Sequence, residues 1–244
     1  TTCSMSATAE ALANEFTSMV SDLEAGIGTT VAIRYGFATY DDYAYGTFGT
    51  PEDGDKPFIL RNAITNDVGA VLREMESVDI HSGADGPEST VEALFQGLTG
   101  IGYDQNCDGT YNAATDIAPF VASPRDIFSG EVSIIGSLIP SDEDTDLVTP
   151  VDGFSSVTST GGGLTGGFGF NSWSQPVIVY ATDNELRDPE DGYEVPGGCP
   201  SDAGGTDVVD AASELNAKLI GIASGGSVSD TVLDQMTRLA ERTD

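Results

Sequence analysis

Apolar residues recur every three or four positions in five stretches of the chain, which is the spacing of one face of an α-helix. Short β-branched and aromatic runs between them have the composition of buried strands. Strands that alternate with helices are typical of a parallel sheet, so the pattern predicts an α/β fold with a doubly wound, mainly parallel sheet flanked by helices. The predicted helices are residues 6–25, 62–76, 87–98, 203–216 and 230–243, and the predicted strands are 29–40, 131–139, 175–183 and 216–226.

The middle of the chain differs from both ends in composition. Residues 100–174 are rich in Gly, Ser, Asp and Thr, which is typical of loops. A shorter turn-rich stretch, 41–58, is predicted to contain a short edge hairpin. We therefore expect a single domain over residues 1–244, with residues 100–174 as a loop-rich elaboration within it.

Charge and hydropathy argue against two classes of function. The 244 residues include 9 Lys and Arg against 40 Asp and Glu, a formal net charge of −31, which would repel a nucleic acid backbone. No apolar run approaches the about 20 residues that a membrane-spanning helix needs, so we expect no membrane span in this chain. The acidic excess is typical of a solvated acidic surface, and part of it is available to bind divalent cations.

The three cysteines and the single histidine indicate which disulfide and metal sites the chain could form. Cys107 and Cys199 both lie in polar, glycine-rich loops, where a disulfide would join two long irregular segments. Cys3 is expected to be free, and the lack of a C-x-x-C pair argues against a structural zinc site. A disulfide favours an extracellular or cell-surface location. His81 is predicted to be a polar residue at a strand end.

Three polar loops are expected to meet at the carboxyl edge of the predicted sheet, where ligands bind in folds of this class. They are residues 1–5, 83–89 and 181–192. Their hydroxyl and carboxylate oxygens suit a hard cation such as Mg²⁺ or Ca²⁺. The side chains that supply these oxygens are Thr2, Ser4, Asp85, Glu88 and Asp183.

The order of these loops resembles the von Willebrand factor type A domain, most closely the I-like branch found in integrin β subunits. The family's metal-ion-dependent adhesion site begins with D-x-[ST]-x-S, and Thr2 and Ser4 match its two hydroxyl positions. Glu88 stands in D-G-P-E, which is similar to the D-S-P-E motif of that branch, and Asp183 stands in the matching T-D motif. The resemblance covers about residues 1–99 and 175–244.

The resemblance implies a metal site and a way of binding a partner. Thr2, Ser4, Glu88 and Asp183 would hold Mg²⁺ (or Mn²⁺), and a carboxylate from a protein ligand or a surface component would complete the coordination. A flanking Ca²⁺ site would use Asp41 (or Asp42), Asp85 and Glu88. A second flanking site is expected to be missing, because the positions that would carry its acidic pair are Ala7 and Thr8.

The resemblance also implies a hydrophobic first strand that ends in an aspartate directly before Thr1. This strand would be central in the sheet, and without it two strand edges would be unpaired. We expect it to come either from a preceding segment of the protein or from another chain, including a second copy of this one.

A separate candidate for calcium lies in residues 104–116. Asp104, Asn106 and Asp108 alternate and are followed by Gly109, as at the start of an EF-hand-type loop. Asp116 comes one residue after the usual closing position. The alternative is a plain turn rich in Asx residues, which a bridged Cys107 would fix without a metal.

Three functions follow from these patterns. The first is a non-enzymatic adhesion or protein-binding module that uses a divalent cation to capture an acidic partner group. The second is a structural subunit of a surface filament or assembly that is stabilised by calcium. The third is a hydrolase with Thr1 as an N-terminal nucleophile, although the pattern of a hydrolase of that type is not visible in the chain.

Overall fold

The computed structural model describes residues 3–28, 31–81, 83–119, 166–171, 173–225 and 228–244. They form a mixed α/β structure with five helices and four strands among these residues. The helices are α1 (Ser6–Ile27), α2 (Val68–Glu76), α3 (Thr90–Thr99), α4 (Gly205–Leu215) and α5 (Asp230–Arg242). The strands are β1 (Tyr35–Thr39), β2 (Ile59–Thr65), β3 (Val177–Thr182) and β4 (Lys218–Ala223). A 3₁₀ turn at Cys3–Met5 precedes α1.

The strands form two small sheets and not the doubly wound, mainly parallel sheet that the pattern predicted. β1 pairs with β2 in antiparallel orientation, and β3 pairs with β4 in parallel orientation. Within the described ranges no strand joins β1 to β3. The mixed α/β class is confirmed, and one doubly wound sheet stays a prediction, since the described strands form two separate pairs.

Most predicted elements are present, with one change of type. The predicted helix over 62–76 is wrong in its first residues, because Asn62 to Thr65 belong to β2 and pair with β1. The helix begins only after Asp67, whose carboxylate accepts a hydrogen bond from the Ala70 amide. Such a capping aspartate is a strong start signal, and pairing across strands outweighed the local helical spacing.

Helix α3 forms the centre of the largest hydrophobic cluster. All ten of its residues are buried, and its apolar side chains pack with β3, β4, α4 and α5. The buried Glu92 accepts hydrogen bonds from the Ala203 amide and from Gln96, both at 2.9 Å. Burial raises the pKa of Glu92 to about 7. This rigid helix fixes the position of the residues just before it, Glu88 and Ser89.

The described part of the predicted elaboration packs against this core. Phe168 accepts a hydrogen bond from the Ile64 amide and donates one to the Gly97 carbonyl. Gly167 lies so close to α3 that a Cβ atom there would be 2.1 Å from the Gln96 carbonyl oxygen. The predicted strand over 131–139 lies outside the described residues.

A disulfide joins Cys107 to Cys199 across 92 residues of sequence, with 5.2 Å between their Cα atoms. This confirms the predicted pairing. The backbones of Asp104 and Cys199 also pair through two hydrogen bonds of 2.8 Å. Cys3 is free and exposed, as predicted. In the part of the chain that the structure describes, no helix is both long and apolar enough to cross a membrane.

Candidate functional site

The loop before α1 lies on the carboxyl ends of β3 and β4. Ser4 Oγ donates a hydrogen bond to Asp183 Oδ1 at 3.2 Å, although 179 residues separate them in sequence. The neighbouring Met5 sulfur accepts a hydrogen bond from the Ser224 hydroxyl, just beyond β4. The structure therefore brings together two of the four residues that the resemblance assigns to the adhesion site.

Glu88 is held beside the same edge by its backbone. Its amide donates to the Glu185 carbonyl at 3.0 Å, and its carbonyl accepts from the Arg187 amide at 2.8 Å. These bonds attach Glu88 to the loop that begins with Asp183. Burial, and to a smaller degree the charge of Glu88, raises the pKa of Tyr40, whose hydroxyl donates to the Ala181 carbonyl in β3. Thr2 lies outside the described residues.

A buried arginine occupies the neighbourhood of the predicted flanking calcium site. The guanidinium of Arg187 contacts Asp42 at 2.6 Å and Asp85 at 2.5 Å, and it also donates to the Pro87 carbonyl. It lies 4.6 Å from the centre of the Phe48 ring. Burial raises the pKa of Asp42 to about 8, although hydrogen bonding to Arg187 and its charge oppose that shift.

The Asp41 carboxylate lies beside a different group of side chains from that of Asp42. Asp41, Asp55 and His81 each offer one potential ligand atom, and these atoms lie within 4.8 Å of one another. His81 Nε2 is 3.5 Å from Asp41 Oδ1, and His81 Nδ1 is 3.4 Å from Asp55 Oδ1. Burial, and secondarily the charge of Asp41, raises the pKa of Asp55, while the Thr50 amide and His81 lower it. The predicted use of Asp41 with Asp85 in one calcium site stays a prediction, since the contacts described take these two residues to different partners.

The loop at 104–116 is stabilised by its own amides. Asp104 accepts hydrogen bonds from the amides of Asn106, Cys107 and Gly109. Asp116 accepts from the amides of Gln105 and Asn112 and from the Thr115 hydroxyl. Asn106 and Asp108 bond to each other at 3.1 Å. These contacts are those of an Asx-rich turn, and calcium binding here stays a prediction.

Sequence reasoning missed Asp55, His81 and Arg187 as members of polar clusters. Asp55 stands in a short acidic turn, and nothing in its local pattern indicates that its side chain is buried. The one signal available was that His81 is the only histidine in 244 residues. The cluster depends on the long-range approach of three loops, which no local pattern encodes.

Comparison of the chain with protein-family models and with curated proteins found no match. The resemblance to the von Willebrand factor type A domain therefore stays a prediction. The arguments about function below depend on the geometry of the described residues.

Replacing Gly49 by Ala is expected to lower the free energy of unfolding by about 1–3 kcal/mol, since overpacking a tight site costs that much. A Cβ atom at this position would lie 2.7 Å from both Asp55 Oδ2 and the Tyr43 carbonyl oxygen. Urea unfolding monitored by circular dichroism measures the loss. The control is Gly26→Ala in α1, where the added Cβ meets nothing within 4 Å and the helix should gain up to about 1 kcal/mol. Equal effects at both positions would contradict the close approach at Asp55.

Proposed function

We propose that this chain is an extracellular adhesion or protein-binding module that uses a divalent cation to capture an acidic partner group. The observation that carries the proposal is the contact of Ser4 with Asp183, which joins a hydroxyl and a carboxylate that lie 179 residues apart in sequence. Glu88 is attached by backbone hydrogen bonds to the loop that follows Asp183. Hydroxyl and carboxylate oxygens are the ligands that Mg²⁺ prefers.

The donor set fits a cation that captures acidic groups. Ser4 and Thr2 would contribute neutral oxygens, and Glu88 and Asp183 would contribute carboxylates. Such a set leaves part of the coordination sphere for an outside ligand, and Mg²⁺ bound in this way would attract a carboxylate from a partner. Side chains of this chain would orient the ion, and the partner would be recognised by its charge.

The arrangement of the two sheets supports the finer prediction that one strand lies between β1 and β3. Tyr40 follows β1 and reaches the Ala181 carbonyl in β3 through its hydroxyl. Strands on either side of a third strand lie about 9.6 Å apart, and a tyrosine side chain plus one hydrogen bond spans a distance of that order. The antiparallel pair and the parallel pair would then belong to one doubly wound sheet.

Exposed apolar side chains on the second sheet agree with this arrangement. Four apolar side chains on one face of β3 and β4 are between 43% and 56% exposed: Val177, Val179, Ile220 and Ile222. In doubly wound sheets both faces are covered. We propose that a further layer, from this protein or from another chain, covers this face when the doubly wound sheet is complete.

The cation site predicts the effect of single substitutions on Mg²⁺ binding. We expect at least about 10-fold weaker Mg²⁺ binding in each of Ser4→Ala, Glu88→Gln and Asp183→Asn. Loss of a residue that only hydrogen-bonds to a metal ligand already costs about 10-fold in affinity, and loss of the ligand itself should cost no less. Competition of Mg²⁺ against Mn²⁺, followed by electron paramagnetic resonance, measures the affinity. Glu241→Gln, an exposed acidic residue on α5, is the matched control for loss of one surface charge. Unchanged affinity in all three variants would refute the site.

A peptide pair tests capture of an acidic group. A peptide with an exposed Asp side chain is expected to bind the chain in Mg²⁺ and to dissociate on addition of EDTA, whereas the same peptide with Asn should bind in neither condition. Fluorescence anisotropy provides the measurement. If a cation raises the thermal midpoint while neither peptide binds, the structural role in a surface assembly is favoured over adhesion.

A further inference from the structure

The side chain of Asp55 has an unusual environment for a carboxylate. The residue is 1% exposed, and its Oδ2 atom accepts a hydrogen bond from the Thr50 amide at 2.7 Å. Its Oδ1 atom has no hydrogen-bond donor in the part of the chain that the structure describes. A buried carboxylate oxygen without a donor is costly. Oδ1 faces the ring of His81, so a positive charge between these groups would remove that cost.

One potential ligand atom from each of the three residues lies within 4.8 Å of the other two. The ring nitrogens of His81 lie 3.4 Å and 3.5 Å from the two carboxylate oxygens. A charge-assisted hydrogen bond is shorter, about 2.7–2.9 Å. Two ligands of a tetrahedral ion at bond lengths of about 2.0–2.1 Å lie about 3.3 Å apart. Each carboxylate faces a different nitrogen of the ring, so binding of one ion would require the imidazole to turn one nitrogen towards both carboxylates.

The charges of the group also favour a divalent ion. Asp55 brings a carboxylate into a buried site beside that of Asp41, and a bound cation would offset the cost of burying them. Lys56 follows Asp55 in sequence, but its ammonium group donates to the carbonyls of Ala113 and Asp116. A divalent cation bound by a neutral imidazole would balance both carboxylates.

We propose that Asp41, Asp55 and His81 bind a divalent transition-metal ion of the Zn²⁺ type. The imidazole nitrogen distinguishes this site from the oxygen-only set of the adhesion site, since nitrogen ligands favour Zn²⁺ over Mg²⁺ and Ca²⁺. The two sites have no ligand in common, so this inference does not rest on the proposed function. The His81 side chain is 20% exposed, so solvent reaches this ligand.

The metal would join three loops to the base of α3. Asp41 follows β1, Asp55 lies in the turn before β2, and His81 comes after α2. The Asp41 carbonyl accepts hydrogen bonds from both the amide and the hydroxyl of Ser89, at 3.2 Å and 2.7 Å. Ser89 directly precedes α3 and follows Glu88, so an ion at Asp41 would stabilise the loop that positions Glu88.

The single histidine allows a direct test by NMR. In protein labelled with ¹⁵N-histidine, all imidazole signals come from His81, and Zn²⁺ coordination is expected to shift one ring nitrogen strongly. The titration uses Zn²⁺ alone in excess Mg²⁺, with calorimetry to count one ion per chain. His81→Gln and Asp55→Asn should each weaken Zn²⁺ binding at least about 10-fold, because each removes a ligand.

Two further variants separate this site from other acidic surfaces. Glu52→Gln removes an exposed charge from the same turn as Asp55 and should leave Zn²⁺ affinity unchanged. Ser4→Ala should reduce Mg²⁺ binding and not Zn²⁺ binding, so the two proposals can fail independently. Imidazole signals that stay unchanged on addition of Zn²⁺, or equal Zn²⁺ affinity in His81→Gln and the parent chain, would overturn the inference and leave an imidazolium ion pair. If Asp55→Asn does not fold, the NMR titration of the parent chain and the His81→Gln variant still decide.

Discussion

Replacing Arg187 by Met is expected to lower the free energy of unfolding by about 3–5 kcal/mol, the usual cost of removing one partner of a buried ion pair. The Arg187 and Asp42 side chains are only 3% and 5% exposed. The substitution keeps an apolar stem and removes the hydrogen bonds to Asp42, Asp85 and the carbonyls of Pro87 and Glu194. Urea unfolding at equilibrium measures the change.

The pH dependence of this loss has a defined sign. The pKa of Asp42 is raised from 3.8 to about 8 in the folded chain, so its protonated form favours folding, and that contribution is lost as the pH rises from about 4 to about 8. Without Arg187, the ionised carboxylate has no buried cation beside it. Arg187 opposes the rise in the pKa of Asp42, so its loss should raise that pKa further, and the deficit of Arg187→Met should stay constant from about pH 4 to about pH 8 and increase above about pH 8.

A second arginine provides the control. Arg238 pairs with Asp191 and Asp234 near the surface, where its side chain is 46% exposed. Arg238→Met is expected to cost no more than about 1 kcal/mol, as exposed ion pairs contribute little. A similar loss in both variants would contradict the structural role assigned to Arg187.

Removing the disulfide by the double substitution Cys107→Ser and Cys199→Ser is expected to lower the free energy of unfolding by about 2–5 kcal/mol. The bond spans a sequence separation of 92 residues, so its loss gives the unfolded chain much more conformational freedom. It also holds the loop at residues 104–116 against the backbone around Cys199. Thermal and urea unfolding, each with and without a reducing agent, measure the effect.

The third cysteine, Cys3, provides a control for effects of a reducing agent that do not depend on the disulfide. Cys3→Ser is expected to change stability by less than about 0.5 kcal/mol, because Cys3 is exposed and free. A reducing agent should destabilise the parent chain and the Cys3→Ser variant equally, and it should not affect the double variant. Sensitivity to reduction that persists in the double variant would contradict the described pairing.

Arg187 gives a physical reason to expect only one hard-cation site near Glu88. The resemblance places a flanking Ca²⁺ close to Asp42 and Asp85, and the structure places a guanidinium between these two carboxylates. A fixed positive charge there performs the charge balance that a bound ion would provide. We therefore expect that, if this chain binds a hard cation here, the ion occupies the proposed adhesion site and not a flanking calcium site.

Sequence by itself determined the elements whose signals are local. The spacing of Ala9, Leu12, Phe16 and Val20 predicted α1, and the apolar run at 177–182 predicted β3, because helix and strand periodicity is written into consecutive residues. Short motifs singled out Glu88 and Asp183 as candidate ligands, a role that stays a prediction. The pairing of the two cysteines also followed from the sequence, since both lie in loops.

Only the tertiary structure decided which side chains share a site. It separated the four strands into two pairs, turned residues 62–65 into a strand, and took Asp41 to Asp55 and His81 and not to Asp85. These outcomes depend on contacts between residues far apart in the chain, where strand pairing and the balance of buried charge outweigh local preference. The same long-range approach placed Ser4 beside Asp183, which the motifs suggested but the spacing of residues alone did not fix.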